Sequence, residues 1–200
     1  MLFDAAVCGL LVGILAGGSF KRLLEMPLRH LWLLVGSVLV SQLPRITFIA
    51  VALSHLGTPG AVCFALVRYG LLLGFVAVNC RRVSVDIIGA GGALNMLVTL
   101  ANGGRMPVVA SAIGGSSPQY AENVLLKSGQ ILNYTLTNAH TRLAFLCDRL
   151  EIPFYDWLLR RVRYYLSIGD ILIAVGVFLL IVALMEPKRL KKRIRTKSGG

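Results

Sequence analysis

Five apolar runs, at about residues 2–19, 31–54, 60–80, 84–101 and 168–185, decide what this chain can fold into. Each approaches the ~20 apolar residues that a helix needs to cross a bilayer. In lipid a backbone N–H or C=O finds no water, so a run of this kind must bond its own backbone as a helix. The chain is 56% hydrophobic and 15% charged, with mean hydropathy +0.74. A soluble domain carries about 25% charged residues. The expected fold is therefore all-α: a polytopic membrane helical bundle of about five transmembrane helices, in a single integral-membrane domain over 1–200. The first and fourth runs are short, so local thinning of the bilayer or tilt of the neighbours must accommodate them.

The net charge of +12 would suggest nucleic acid as the partner of a soluble protein. Here the basic residues flank the apolar runs, which points to topology and excludes nucleic acid as the expected partner. Lys21, Arg22, Arg29, Arg81 and Arg82 fall on one side with Lys188, Arg189, Lys191, Lys192, Arg193, Arg195 and Lys197 of the tail. Arg105, Lys127, Arg142, Arg149, Arg160, Arg161 and Arg163 fall on the other, within one long segment where the rule is weak. The larger set marks the cytoplasm. The expected topology is N-out and C-in in the plasma membrane, with 102–167 extracytoplasmic and a basic cytoplasmic tail at 186–200. The opening "MLFDAAVCGLLVGILAGGSFKR" lacks a basic n-region, and its positive charges follow the apolar run. It reads as a retained helix rather than a cleaved signal peptide.

Residues 120–147 mix apolar and polar positions, as an interfacial helix does. In "WLLRRVRYYL", 157–166, Leu158, Val162, Tyr165 and Leu166 share a helical face, and Arg160 and Arg163 lie opposite. Together with Trp157 and Tyr164 this describes an amphipathic helical cap lying on the outer leaflet. Ser167-Ile168-Gly169-Asp170 opens the last helix as a capping-box variant.

Small residues recur at helix-packing spacing: Gly9, Gly13 and Gly17 on the first helix, Gly70 and Gly74 on the third. Such grooves let backbones approach closely, within the bundle or against a membrane-protein partner or second copy. Cys8, Cys63, Cys80 and Cys147 form no C-x-x-C pair and read as buried small apolar residues. No metal site and no cofactor is expected. "GAGGAL", 89–94, follows no strand and lacks the last glycine of a dinucleotide fingerprint.

Arg45 and Arg68 lie inside apolar runs, where an arginine costs from roughly 2.5 to above 10 kcal/mol unless it faces protein or water. The turn "SHLGTPG", 54–60, lies midway between them, so a helical hairpin sets both at one depth, ~12–15 Å from the outer end. The apolar runs offer no acid at that depth. Pro44 bends the helix before Arg45, and Gln42 stands nearby. Two accounts fit: snorkelling toward outer phosphates, or an anion bound between the arginines. Gly91, Asn95, Thr99 and Asn102 share one face of the fourth helix, as interhelical glue or as the lining of a wet pocket. The stripe leads to Asn102-Gly103-Gly104-Arg105-Met106-Pro107, whose glycines and proline read as a helix stop. The expected ligand-binding set is Arg45, Arg68, Asn95, Thr99, Asn102 and Arg105, around an outward-facing recess for an anionic amphiphile.

The stretches "ALNMLVTLANGGRMPV", "HTRLAFLCD" and "SIGDILIAVGVFLLIVALME" together resemble a family of bacterial integral-membrane proteins of unknown function, over nearly the whole chain. N-G-G-R-M-P is the most specific part and S-I-G-D the next. The resemblance implies the bacterial plasma membrane and supplies no reaction.

The chain contains no G-x-S-x-G, H-E-x-x-H or Walker motif, so a non-enzymatic protein is expected. His140, Arg142, Asp148 and Asp170 are secondary candidates in the cap, where a His/Asp pair could act on a lipid headgroup. An Arg142–Asp148 ion pair or one to Asp170 is the structural alternative. Two functions remain open: binding or moving an anionic amphiphile of the membrane lipids, or serving as a non-catalytic structural or assembly subunit of a membrane complex.

Overall fold

Proline and glycine set where the apolar runs stop being helical. The computed structural model describes residues 2–25, 28–45, 51, 55–109, 132–151 and 165–186. Helix α1 (Leu2–Leu15) ends just before Gly17, which turns at φ +78° into the short α2 (Phe20–Leu24). Helix α3 (Leu31–Gln42) gives way to a 3-10 turn at Leu43–Arg45, because Pro44 has no N–H to continue the ladder. Helix α4 (Gly57–Asn79) and α5 (Val83–Ala101) follow the runs expected at 60–80 and 84–101 and form a hairpin. Helix α6 (Ile168–Leu184) begins on the expected capping box: Ser167 Oγ accepts from Asp170 N at 2.9 Å, and Asp170 Oδ2 accepts from Ser167 N at 3.5 Å.

Two of these helices, α4 and α5, are long and apolar enough to cross a bilayer. At 1.5 Å per residue the 23-residue α4 spans about 35 Å. Helices α1, α3 and α6 are apolar and shorter. The runs expected at 2–19 and 31–54 thus yield shorter helices, cut by Gly17 and Pro44.

Sequence-distant helices become neighbours. Helix α1 packs on α6, α6 on α5, α5 on α4, and α4 on α3. Glycine backbones make the closest approaches. Gly9 faces the Phe178 carbonyl and Ile181, and Gly13 faces the Met185 side chain, so this part of the first glycine stripe joins α1 to α6. Gly17 lies beyond α1 in open space and takes no part. Gly91 and Gly169 meet at the α5–α6 crossing, and Gly176 lies over Ser84 and Ile88. Below that crossing Leu72, Phe75, Val85, Ile88, Ile173, Leu180 and Leu184 form the apolar core.

Asparagines fasten loops to both ends of the hairpin. At the α4 end, Asn79 Oδ1 accepts from Arg29 N and Nδ2 donates to Arg29 O, both at 2.8 Å. At the α5 end, Asn102 Nδ2 donates to Arg142 O at 2.9 Å and Oδ1 accepts from Arg142 N at 3.0 Å. Each amide pairs with a distant peptide unit as a strand neighbour would.

The described part of the cap is extended chain and turns where 132–147 was expected to be helical, while 120–131 of that expected helix lies outside the described residues. Among its described residues there is no amphipathic α-helix. Strand β1 (Met106–Val108) pairs in parallel with β2 (Tyr134–Leu136), and β3 (Leu150–Glu151) pairs antiparallel with β4 (Tyr165–Leu166). A 3-10 turn at Ala144–Leu146 precedes the bridge from Val108 to Asp148. The cap also does not lie flat on the helix ends. Leu132 packs on Ala61 and Phe64 of α4, and Met106 and Leu146 pack on Val98 of α5. Extended chain tucked among helices needs bonded backbone, and the β1–β2 ladder with the 148 bridge supplies it. The helix expected around 157–164 and the tail at 187–200 lie outside the described residues.

The outside of the bundle is apolar. Phe3, Leu15, Trp32, Leu39 and Val83 are each more than 60% exposed, and Leu11, Ile14 and Leu97 more than half. Three of the four cysteines, Cys8, Cys63 and Cys80, also face outward, against the expectation of burial; Cys147 is buried, and all four are free.

Candidate functional site

Arg68 stands midway along α4. Its backbone is bound into the packing, since Ser37 Oγ of α3 donates to the Arg68 carbonyl at 2.8 Å. Its guanidinium lies 5.0 Å from the centre of the Tyr69 ring, a cation–π contact. Among the described residues it makes no hydrogen bond and no ion pair. A half-buried guanidinium with five N–H donors and no acceptor is a site awaiting one.

Two cavities meet at this side chain. The larger, of about 80 Å³, is a cleft bordered by all five long helices. Leu2 of α1, Leu34 and Val38 of α3, and Leu72, Ile88, Ile173 and Val177 give it apolar walls. Its polar atoms come from Ser37, Ser41, Arg68, Tyr69 and Asp170. The smaller cavity, of about 10 Å³, lies toward the cap between Arg68, Tyr69, Thr99, Met106 and Asn133. It is about the size that one water requires.

The acids reach Arg68 without touching it. Asp170 borders the same cleft, but its oxygens are engaged elsewhere. Asn95 Nδ2 donates to Oδ1 at 2.8 Å, and Oδ2 completes the capping box. Ser167 Oγ in turn donates to Asn95 Oδ1 at 2.8 Å. Asp148 is held in the cap by its backbone, with N donating to Pro107 O at 3.0 Å and O accepting from Val109 N at 3.3 Å. Its side chain is 92% buried, since 8% stays exposed, and Oδ1 has no hydrogen-bond partner. Burial raises the Asp148 carboxyl well above the ordinary carboxylate range; the Asp170 charge adds to this and Arg68 opposes it. Tyr134 of β2 lies beside them, and burial, with Asp148 adding, pushes its phenol upward too.

With this cluster in view, the family comparison gains meaning. Residues 25–182 match a family of unknown function, DUF5317. The chain belongs to this family. That agrees with the resemblance to a family of unknown function drawn from the sequence. No curated protein and no solved structure matches the chain. The DUF5317 match takes in Arg68, Asn95, Asp148 and Asp170 and leaves α1, one wall of the cleft, outside it.

Of the other expected ligand-binding residues of this DUF5317 chain, Asn95, Thr99 and Asn102 are engaged within the fold. Asn95 is spent between Asp170 and Ser167. Thr99 Oγ1 reaches Met106 Sδ at 3.6 Å and faces Tyr69. Asn102 holds Val98 O and the Arg142 backbone. Gly103 and Gly104 take φ +70° and +80° and end α5, as the helix-stop reading expected. Gly104 sits against the Ala61–Val62 backbone, where no side chain fits. Arg105 is buried beneath this turn, with weak 3.4 Å bonds from its guanidinium to Thr58 Oγ1 and Gly103 O. The Arg45 side chain lies outside the described residues. His140 is exposed, and its backbone N–H caps an Asn138 turn.

The Arg142–Asp148 ion pair expected from the sequence is not formed: Arg142 is exposed and Asp148 points into the protein with a bare oxygen. The apolar runs were expected to offer no acid at the depth of Arg68, and the last of them brings Asp170 to its cleft. Tertiary packing carries Asp170 and Asp148, distant in sequence, into its field. Sequence reasoning missed Tyr69 and Tyr134. Tyr69 adjoins an intramembrane-type arginine and was open to notice; Tyr134 carries no local signal.

Proposed function

We propose that this is a multi-pass protein of the bacterial plasma membrane that binds an anionic amphiphile of the lipid, its head at Arg68 and its chain along the cleft between α1 and α3. The N-terminus and residues 102–167 lie outside and the basic tail inside, as the distribution of lysine and arginine suggests. The apolar exterior supports a lipid surround, because a soluble chain does not expose so many large apolar side chains on contiguous helices. The guanidinium of Arg68 carries the ligand reading. It borders an apolar-walled cleft midway along an apolar helix and lacks an acceptor of its own among the described residues. Asp170 does not quench it, because Asn95 and Ser167 occupy that carboxylate. The reading is of binding or movement, not of catalysis.

Native mass spectrometry of protein purified in mild detergent tests it. Wild type retains an anionic lipid, Arg68→Gln loses it at unchanged thermal stability, and Arg68→Lys keeps part of it. Retention by Arg68→Gln refutes the site. A reporter fused to the C-terminus reads cytoplasmic; a periplasmic reading refutes the topology.

One observation favours a second reading, that of an assembly subunit. A Cβ at Gly70 meets nothing within 4 Å, and at Gly74 only Leu33 at 3.8 Å, while Leu66 and Val67 beside them are exposed. This face of α4 is open to a second helix. A stoichiometric partner lost on Gly70→Leu supports that role.

A further inference from the structure

We infer that Asp148 is a proton-binding residue linked to Arg68: its carboxyl takes up a proton as an anion settles on the guanidinium and releases it as the anion leaves. The linkage rests on the anionic-ligand reading above; the proton site does not. Three observations carry it. Asp148 Oδ1 is buried without a partner among the described residues, so the carboxyl has an unfilled place for a proton or a donor. The Asp148 backbone is bonded on both sides, to Pro107 and Val109, so the buried side chain is rooted in the cap ladder rather than on a free loop. The cluster is also unbalanced. Arg68 supplies one positive charge against the two carboxylates Asp148 and Asp170, and Asp170 is already fixed as an acceptor by Asn95 and the Ser167 N–H. One further positive charge neutralises the group, and Asp148 is where it fits.

Each element packed here contributes a group to the balance. Helix α4 presents Arg68 and Tyr69, β2 presents Tyr134, and α6 presents Asp170; Cys147 and Arg149 flank Asp148 on its own segment. Arg68 is the cation that favours ionised Asp148, and burial and Asp170 act against it. An anion on Arg68 brings a negative charge that offsets that one favourable positive charge. Proton affinity at Asp148 must rise on binding, and by reciprocity a lower pH must tighten binding. One linked proton limits the effect to about tenfold in affinity per pH unit.

Calorimetry in nonionic micelles with decyl sulfonate, whose charge does not titrate, reads the linkage. Titrations in two buffers of different protonation enthalpy give the protons taken up per sulfonate bound. Wild type takes up a fraction of a proton, up to one, and its affinity weakens as pH rises from about 5 to about 9. Asp148→Asn takes up none, and its affinity is independent of pH. Wild-type uptake by Asp148→Asn overturns the inference. A second measurement needs no ligand and no Asp148 variant. Infrared difference spectra follow the protonated carboxyl band of wild type, Asp170→Asn and Arg68→Gln through a pH titration. The band persists in Asp170→Asn, and its midpoint moves to higher pH in Arg68→Gln. A midpoint unmoved by loss of Arg68 overturns the inference. A shifted midpoint with no sulfonate binding at any pH upholds the proton site and refutes the amphiphile reading alone.

Discussion

Asn95 of α5 donates to Asp170 of α6 at 2.8 Å, and Ser167 donates back to the same amide at 2.8 Å. One side chain thus joins the two helices and completes the satisfaction of the α6 capping box. Replacing it by alanine leaves Asp170 Oδ1 without its donor and the buried Ser167 O–H without its acceptor. Asn95→Ala is expected to lose about 1–3 kcal/mol of stability, the range for a buried bond to a charged group. Ser167→Ala on top of it costs less than it does alone, because the two share one network. Thermal unfolding of the two single variants and the double in one detergent measures this. Strict additivity contradicts the network.

The α5–α6 crossing depends on backbone contact at Gly91 and Gly169. A Cβ on Gly169 runs into the Asn95 amide, and one on Gly91 runs into the Gly169 carbonyl and Ile173. Backbone cannot yield as a flexible side chain does, so Gly169→Ala is expected to cost about 1–3 kcal/mol or more. Gly70→Ala fills open space and removes a helical glycine, so it is neutral or stabilising by up to about 1 kcal/mol. The same thermal assay ranks them. A destabilised Gly70→Ala would mean that its face of α4 is already covered, by a partner or a second copy.

These contacts mark how far the sequence could be read. Periodicity and length placed α4, α5 and α6 within a few residues, and Ser167–Asp170 declared its cap through local spacing. Pro44 was visible as a bend, and regular α-helix gives way to a 3-10 turn there. The strands in the described part of the cap left no signal in the sequence because they are two or three residues long, too short for an alternating pattern, and pair across long intervals. The polar stripe Asn95–Thr99–Asn102 was legible as a stripe, but not its partners. Asn95 meets Asp170 from 75 residues away, and Asn102 meets Arg142 from 40. Among the described residues, Arg68 and Asp148 were both singled out by the sequence and left unsatisfied by the fold; an apolar run made the arginine conspicuous while saying nothing of what approaches it.

Asn102 is expected to act on the cap alone. Its amide holds the Arg142 N–H at 3.0 Å and the Arg142 carbonyl at 2.9 Å. In Asn102→Ala the Arg142 amide loses its acceptor and exchanges hydrogen faster, by about tenfold for each 1.4 kcal/mol of lost protection. Amides of α6, held in a helix remote from this contact, keep their wild-type rates. Hydrogen exchange by mass spectrometry over 138–148 distinguishes this local release from general loosening. Unchanged exchange at Arg142 would mean that the ladder at 106–108 and 148 holds the cap without the asparagine.

The pH dependence of stability has a sign set by Asp148. Burial, with Asp170 adding and Arg68 opposing, raises its proton affinity in the folded protein. In the unfolded chain the carboxyl ionises near its ordinary value of about 3.9. Below that pH both forms hold the proton and the contribution of Asp148 is fully present. As pH rises further, the unfolded chain releases its proton while the folded protein keeps it. Stability then falls by up to about 1.4 kcal/mol per pH unit until the folded carboxyl ionises too. Asp148→Asn has no proton to release. Its unfolding temperature should therefore gain steadily on that of wild type as pH is raised from acid toward neutrality, and level off above the pH at which folded Asp148 ionises. A difference between the two proteins that stays constant across that range would show that Asp148 ionises in the fold as it does in water.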